Sequence, residues 1–172
     1  MKMENKITQP WMKGLIISLV LIALSIIFQL TGLSKIKSLQ WLQSVLIIGA
    51  LIWVCIGYGK EMSGNVTFGN VFAHGFKATA AMTVIFVIYT VIAFKFLFPE
   101  MADQALAEAR IEMEKNNTLS ENEIDKGIEM TRKFFLPFAI GGILIGFAFI
   151  GAIGSLLGAA FTKKNPKTPF EQ

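Results

Sequence analysis

Four long apolar runs constrain what this chain can fold into. They lie at Gly14–Leu33, Leu39–Gly57, Ala78–Phe94 and Phe134–Phe161, and none of them carries a charged residue in its interior. A helix of about 20 apolar residues crosses the roughly 30 Å hydrocarbon core of a bilayer. Because backbone inside lipid must satisfy its own hydrogen bonds, each run is predicted to be a helix. The sequence therefore predicts an all-α fold, a four-transmembrane-helix bundle in contact with the lipid bilayer.

The length of the chain leaves room for one membrane domain and none for a soluble catalytic domain. Of the 172 residues, 53% are hydrophobic. We predict a single integral membrane domain over residues 1–172, with spans at about 14–33, 39–57, 78–98 and 134–161. Cys55 is the only cysteine, which excludes an intramolecular disulfide and a cysteine metal cluster. No cofactor and no metal site are expected.

The net charge of +4 conceals an uneven distribution of acids and bases. Residues 99–133 hold nine acids and five bases, a net charge of −4, whereas both ends of the chain are basic. Basic residues distributed in this way are typical of a membrane protein, in which they set the orientation in the bilayer. No nucleic-acid partner is therefore expected. Lys and Arg are equally divided, eight on each predicted side. Lys and Arg within the longer loop contribute less to membrane orientation, and the charges beside the first helix usually contribute most. This favours cytoplasmic termini.

The segment 99–133, between spans three and four, is predicted to be a projecting helical hairpin. Its first arm begins with Pro99 and Glu100, which suit a first helical turn. The second arm begins with Ser120, and Glu123 three residues later completes a capping box.

The fourth span is rich in glycine at helical spacing. Gly142 and Gly146 are four residues apart, as are Gly154 and Gly158, and Gly151 begins a second row of small residues. Small residues four apart favour helix association in membranes, because they allow close approach of two backbones. The partner is either another span of this chain or a second subunit, so a homo- or hetero-oligomer through span four or the acidic hairpin stays open.

The segment before the third span is the least ordinary part of the chain. From Thr67 to Phe98 there are 32 residues, which as a helix measure about 48 Å, more than the hydrocarbon core. Its first turns are amphipathic, and we predict an interfacial elbow capped by Thr67, with its polar row facing water. His74, the only histidine, is alternatively a pH-sensitive ligand paired with Glu61. The candidate functional residues of this elbow are Glu61, Gly64, Thr67, Phe68, His74 and Lys77.

Three stretches of the sequence carry a resemblance to a known family. They are residues 64–76 (GNVTFGNVFAHGF), Phe98-Pro99-Glu100, and residues 156–164 (LLGAAFTKK). Together they resemble an uncharacterised family of small four-span bacterial membrane proteins typical of Bacteroidota, the domain of unknown function number forty-one ninety-nine. The resemblance implies a multi-pass protein of the bacterial inner (cytoplasmic) membrane and supplies no catalytic residues.

The motifs of common enzymes are missing from the sequence. There is no HExxH, no phosphate-binding glycine loop and no pair of carboxylates beside a span. We therefore expect a non-catalytic membrane protein that assembles with or presents its hairpin to partners. The alternative is a small-solute channel or transporter subunit. A water-lined cavity at Gln29, Thr83 or Thr90 would favour transport, whereas tight packing would favour the structural role.

Overall fold

The computed structural model describes residues 7–33, 36–115 and 119–165. Every regular element in these ranges is helical, and four helices are long and apolar enough to cross a bilayer. This confirms the predicted all-α fold with four spans. The helices are α1 (Pro10–Leu30), α2 (Lys37–Glu61), α3 (Phe68–Ile92), α4 (Glu100–Glu114), α5 (Glu121–Lys133) and α6 (Phe135–Phe161).

The first two spans reach further than the apolar runs that predicted them. Helix α1 begins at Pro10, a residue that suits a first helical turn because its missing N–H would have no partner there. Lys13 therefore belongs to the helix. Helix α2 continues to Glu61, four residues past the end of the second apolar run at Gly57. Both extensions bring a charged residue into a spanning helix.

The chain divides into two compact units. The first comprises residues up to Phe86 and from Ile145 onward, and the second comprises Val87–Leu144. In the first unit, side chains of α2, α3 and α6 form the core, joined by residues near the start of α1. The fully buried residues of this core include Leu51, Val54, Cys55, Val71, Met82 and Ser155.

Close backbone approach holds α6 against α2 and α3 within the first unit. A Cβ atom added at Gly158 would lie 2.6 Å from the Cβ of Cys55, and one at Gly154 would lie 2.9 Å from Leu51. At Gly151 an added Cβ would collide with the side chain of Thr79. These three glycines are therefore positions where only hydrogen fits between the helices.

The other two predicted packing glycines have different surroundings. A Cβ atom at Gly142 or at Gly146 would meet no heavy atom within 4 Å. The same spacing of small residues thus serves close packing in one half of α6 and leaves an uncovered surface in the other. The sequence left open whether the five glycines pack within the chain or against a second subunit, and Gly151, Gly154 and Gly158 pack within the chain.

The segment predicted as an interfacial elbow is the beginning of the third span. Thr67 caps it as predicted, since the hydroxyl oxygen of Thr67 accepts a hydrogen bond from the N–H of Asn70 at 3.2 Å. Helix α3 then continues without interruption past Lys77. The prediction that the polar row faces water is wrong for His74, which is 7% exposed.

The reason lies in which face of α3 packs against its neighbours. Val71, His74, Gly75 and Ala78 are buried and fall on one helical stripe. Gly75 lies against Cys55 and the hydroxyl of Ser155. Small side chains on this stripe let α2 and α6 approach, whereas Phe68 and Phe76 remain exposed.

In the second unit, α3 ends in a π-helical turn at Ala93–Leu97. The N–H of Phe98 donates a hydrogen bond to the carbonyl of Ala93 at 2.8 Å and closes this turn. Phe98 lies outside the helical region with φ −142° and ψ 62°, in agreement with the rule that a residue before proline disfavours the helical conformation. Helix α5 ends at Lys133. Pro137 has no N–H to donate to the carbonyl of Lys133, and the ring of a proline clashes with the carbonyl four residues earlier.

Helices α4 and α5 form an antiparallel pair. Arg110 binds Asp125 at 2.9 Å and Arg132 binds Asp103 at 3.3 Å, so residue numbers rise along one helix as they fall along the other. Leu106 and Ile124 are the buried residues of the two helices.

The predicted capping box at the start of α5 is confirmed. The N–H and the hydroxyl of Ser120 both donate to the Glu123 carboxylate, at 2.8 and 2.7 Å. These two hydrogen bonds lower the pKa of Glu123 below its ordinary value.

The packing of α6 predicts opposite outcomes for two chemically identical substitutions. Gly154→Leu should lower the thermal stability of the detergent-solubilised protein, because overpacking at a filled contact costs about 1–3 kcal/mol. Gly146→Leu should leave that stability close to the native value, since nothing opposes the new side chain. Leu156→Ala, at a 47% exposed position, is the matched control. Equal melting temperatures for the two glycine variants would contradict the packing described here.

Candidate functional site

A partly buried ion pair joins the start of α1 to the end of α2. The ammonium group of Lys13 lies 2.8 Å from the Glu61 carboxylate, and the two side chains are 8% and 23% exposed. Removing charges from water is costly, so such a pair persists only when its members remain hydrogen-bonded to each other. The pair links residues 48 positions apart in the chain.

The Glu61 carboxylate also holds the segment that precedes α1. Its second oxygen accepts a hydrogen bond from the backbone N–H of Thr8 at 3.1 Å. One carboxylate thus ties the approach to α1, the first turn of α1 and the last turn of α2. We refer to the end of the bundle that carries Lys13, Glu61, His74 and Thr162 as the terminus-side end.

His74 lies at this same end, stacked on the ring of Tyr58. The two ring centroids are 4.0 Å apart and the ring planes are inclined by 12°. The Nε2 atom of His74 is buried and has no hydrogen-bond partner among the described residues. A buried polar atom without a partner costs free energy, so it marks a position where a ligand or water would be stabilised.

A cavity of 340 Å³ opens beside the stacked rings. Its polar lining comes from Gln9, Tyr58, Asn70, His74 and Lys77, and its apolar lining from Ile7, Pro10, Met62 and Ala73. A site of mixed lining and this size can hold a small polar molecule.

The structure brings together only some of the six predicted elbow residues. Glu61 binds Lys13 in place of the predicted partner His74, while His74 and Lys77 line the cavity. Thr67 serves as the helix cap.

Gly64 and Phe68 lie on another part of the same end. Gly64 adopts a φ of 78°, a left-handed conformation that glycine adopts without strain, in the turn between α2 and α3. The ring of Phe68 lies 5.6 Å from the ammonium group of Lys164.

Sequence reasoning missed Lys13 and Tyr58. Lys13 sits one residue before the first apolar run, and Tyr58 sits one residue after the second, where an aromatic ring is equally well explained by the membrane interface. One signal pointed to the ion pair. Glu61 is the only acidic residue in 7–86 and 145–165, so a buried position for it required one of the lysines at the same end.

The side chains that line this cavity can donate and accept hydrogen bonds. In the described part of the chain, no three His, Cys, Asp or Glu side chains gather at a common point. The cavity offers a ligand an imidazole, two amides, a phenol and an ammonium group, which suit a polar or anionic molecule.

The ion pair predicts a specific pattern of stabilities. Lys13→Met should destabilise the protein by about 1–3 kcal/mol, because it leaves the partly buried Glu61 carboxylate without its charged partner. Lys13→Met combined with Glu61→Gln should recover much of this loss. Lys77→Met, at an exposed position of the same end, serves as the control, and thermal unfolding in detergent provides the measurement. If Lys13→Met behaved like Lys77→Met, the pair would have no structural role.

Comparison with known proteins places the site inside a recognised domain. Residues 13–164 match the family model described as "Protein of unknown function (DUF4199)", which confirms the resemblance seen in the sequence. No curated protein and no solved structure matches the chain. The matched range covers most of the 172 residues and includes Lys13, Glu61 and His74. The chain therefore belongs to the DUF4199 family of proteins of unknown function.

Proposed function

We propose that this protein is a non-catalytic multi-pass membrane protein that binds partners through its acidic α4–α5 hairpin. The observation that carries the proposal is the construction of the hairpin itself. Two antiparallel helices are joined by ion pairs at Arg110–Asp125 and Arg132–Asp103. Such a pair presents its outer surface in a fixed arrangement, as a recognition element requires.

The outer surface of this hairpin is acidic. Glu108, Glu121 and Glu129 are exposed, and the segment 99–133 carries a net charge of −4. Charge of one sign accelerates encounter with a basic partner and selects against acidic ones. The partner that suits this surface is therefore a protein with a basic face.

The core of the first unit supports a structural role over a solute path. The hydroxyl groups of Thr79 and Thr83 donate to backbone carbonyls one turn earlier in α3, at 3.1 and 2.9 Å. Between α3 and α6, the side chain of Thr79 fills the space beside Gly151. These contacts leave the hydroxyls of both threonines engaged within their own helix.

Assembly with a second subunit has its own support in α6. The positions of Gly142 and Gly146 are open, and small residues four apart favour close helix contact in lipid. We further propose residence in the bacterial inner membrane, with cytoplasmic termini and the hairpin on the opposite side. The basic ends of the chain support this orientation.

Removing two carboxylates from the hairpin should weaken partner binding without unfolding the protein. Glu108→Gln combined with Glu129→Gln should release a partner that co-purifies with the native chain in mild detergent. Raising the salt to 1 M should do the same, because screening then shortens the Debye length to about 3 Å. Gln104→Ala combined with Asn122→Ala changes exposed neutral positions of the same helices and is the control. Retention of the same partners by the glutamate variant would refute this role for the hairpin.

A small-solute channel or transporter is the second candidate, favoured by the cavity beside His74. That cavity combines a buried imidazole nitrogen without a partner and the exposed Lys77. A transport role would make His74 necessary for flux.

Reconstitution into vesicles separates the two candidates. The leading proposal predicts proton and small-ion fluxes equal to those of protein-free vesicles, measured with an internal pH-sensitive dye and ion-selective dyes. A flux that His74→Ala abolishes and Lys115→Ala preserves would establish the transport role instead.

A further inference from the structure

We propose that the groove between the ends of α2 and α6 binds the headgroup of an anionic phospholipid. The groove has a volume of 820 Å³ and lies at the terminus-side end. The lining residues that would contact a lipid include Ile56, Lys60, Ser63, Phe161, Lys163 and Asn165. This inference goes beyond the partner-binding role of the hairpin and stands independently of it.

Contacts between the two chain segments around it pre-form the groove. Helices α2 and α6 approach so closely that a Cβ atom at Gly59 would collide with the side chain of Thr162. The backbone N–H of Asn165 donates to the carbonyl of Gly64 at 2.8 Å. The turn after α2 is therefore hydrogen-bonded to the segment after α6. Because these segments are already ordered, a ligand loses less binding free energy to ordering them.

The lining is divided between apolar and polar residues in the way a phospholipid is. Phe161, at 65% exposure, and Ile56 supply an apolar wall within the last turns of the spanning helices. The polar wall consists of Lys60, in the last turn of α2, and of Lys163 and Asn165, which follow α6. An acyl chain matches the first wall and a phosphate group matches the second.

Among the described residues, the charge at this end is positive. Glu61 is the only acid in residues 7–86 and 145–165, and its carboxylate is bound to Lys13. Four lysines remain at the terminus-side end, namely Lys60, Lys77, Lys163 and Lys164. Lysine clusters at a membrane surface attract anionic lipids, and each lysine adds to the attraction.

The lysines of the groove are not equivalent. The ammonium group of Lys164 donates to the carbonyls of Ala159 and Thr162, which it caps at the end of α6. Lys60 and Lys163 are exposed and line the groove. These two side chains are the ones available to bind a phosphate.

Lipid titration of the delipidated, detergent-solubilised protein tests the assignment. Native mass spectrometry should show dioleoyl phosphatidylglycerol binding at lower concentration than dioleoyl phosphatidylcholine. Lys60→Gln combined with Lys163→Gln should weaken phosphatidylglycerol binding about tenfold or more and leave phosphatidylcholine binding unchanged. The control is Lys115→Gln combined with Lys126→Gln, which removes the same charge from the hairpin segment, outside the groove, and should retain binding. Lys60→Arg combined with Lys163→Arg should also retain it, which separates loss of charge from loss of fold.

Three outcomes would overturn the proposal. Equal weakening by the groove variant and the control would show attraction by net charge alone. Equal binding of the two lipids by the native protein would show no recognition of anionic headgroups. Binding of glycerol 3-phosphate as tightly as phosphatidylglycerol would assign the groove to a soluble phosphate compound and exclude a contribution from the apolar wall.

Discussion

Close contact between backbones is the constraint on which the first unit depends. Lipid is as apolar as the side chains that face it, so burying apolar surface does little to join helices in a bilayer. In this chain, Gly154 and Gly158 let α6 reach Leu51 and Cys55 on α2. Because that contact places the end of α6 beside the end of α2, it also forms the groove lined by Lys60 and Lys163.

The polar chemistry of the first unit is concentrated at its terminus-side end. There the carboxylate of Glu61 engages both Lys13 and the backbone of Thr8. This leaves the remaining lysines without an acidic partner in the described residues of the unit, and it leaves His74 held by stacking on Tyr58. The only acid among the described residues of the unit is thus paired inside the bundle, and the surface lysines stay positive. This positive surface is the physical basis for binding an anionic ligand at this end.

Local rules predicted the helices and the caps of two of them. The four spans follow from apolar length, and the caps at Thr67 and Ser120 follow from side chains that satisfy the first free N–H groups of a helix. The placement of His74 was mispredicted. The polar row of α3 was expected to face water, but a helix in lipid can turn its large apolar residues toward the membrane and pack through another face. The face that packs then carries small residues such as Gly75 and Ala78, and His74 is buried among them.

The sequence by itself determined the number of helices, their approximate limits, their caps and the opposite charges of the chain ends and the hairpin. These are properties of hydropathy and of hydrogen bonding between near neighbours in the chain. Only the tertiary structure decided that Glu61 binds Lys13 rather than His74, and that Gly154 is covered while Gly146 is open. The physical reason is that contacts between helices depend on the rotation and the register of each helix. Neither quantity is fixed by the hydrogen bonds within a helix or by its overall apolar character.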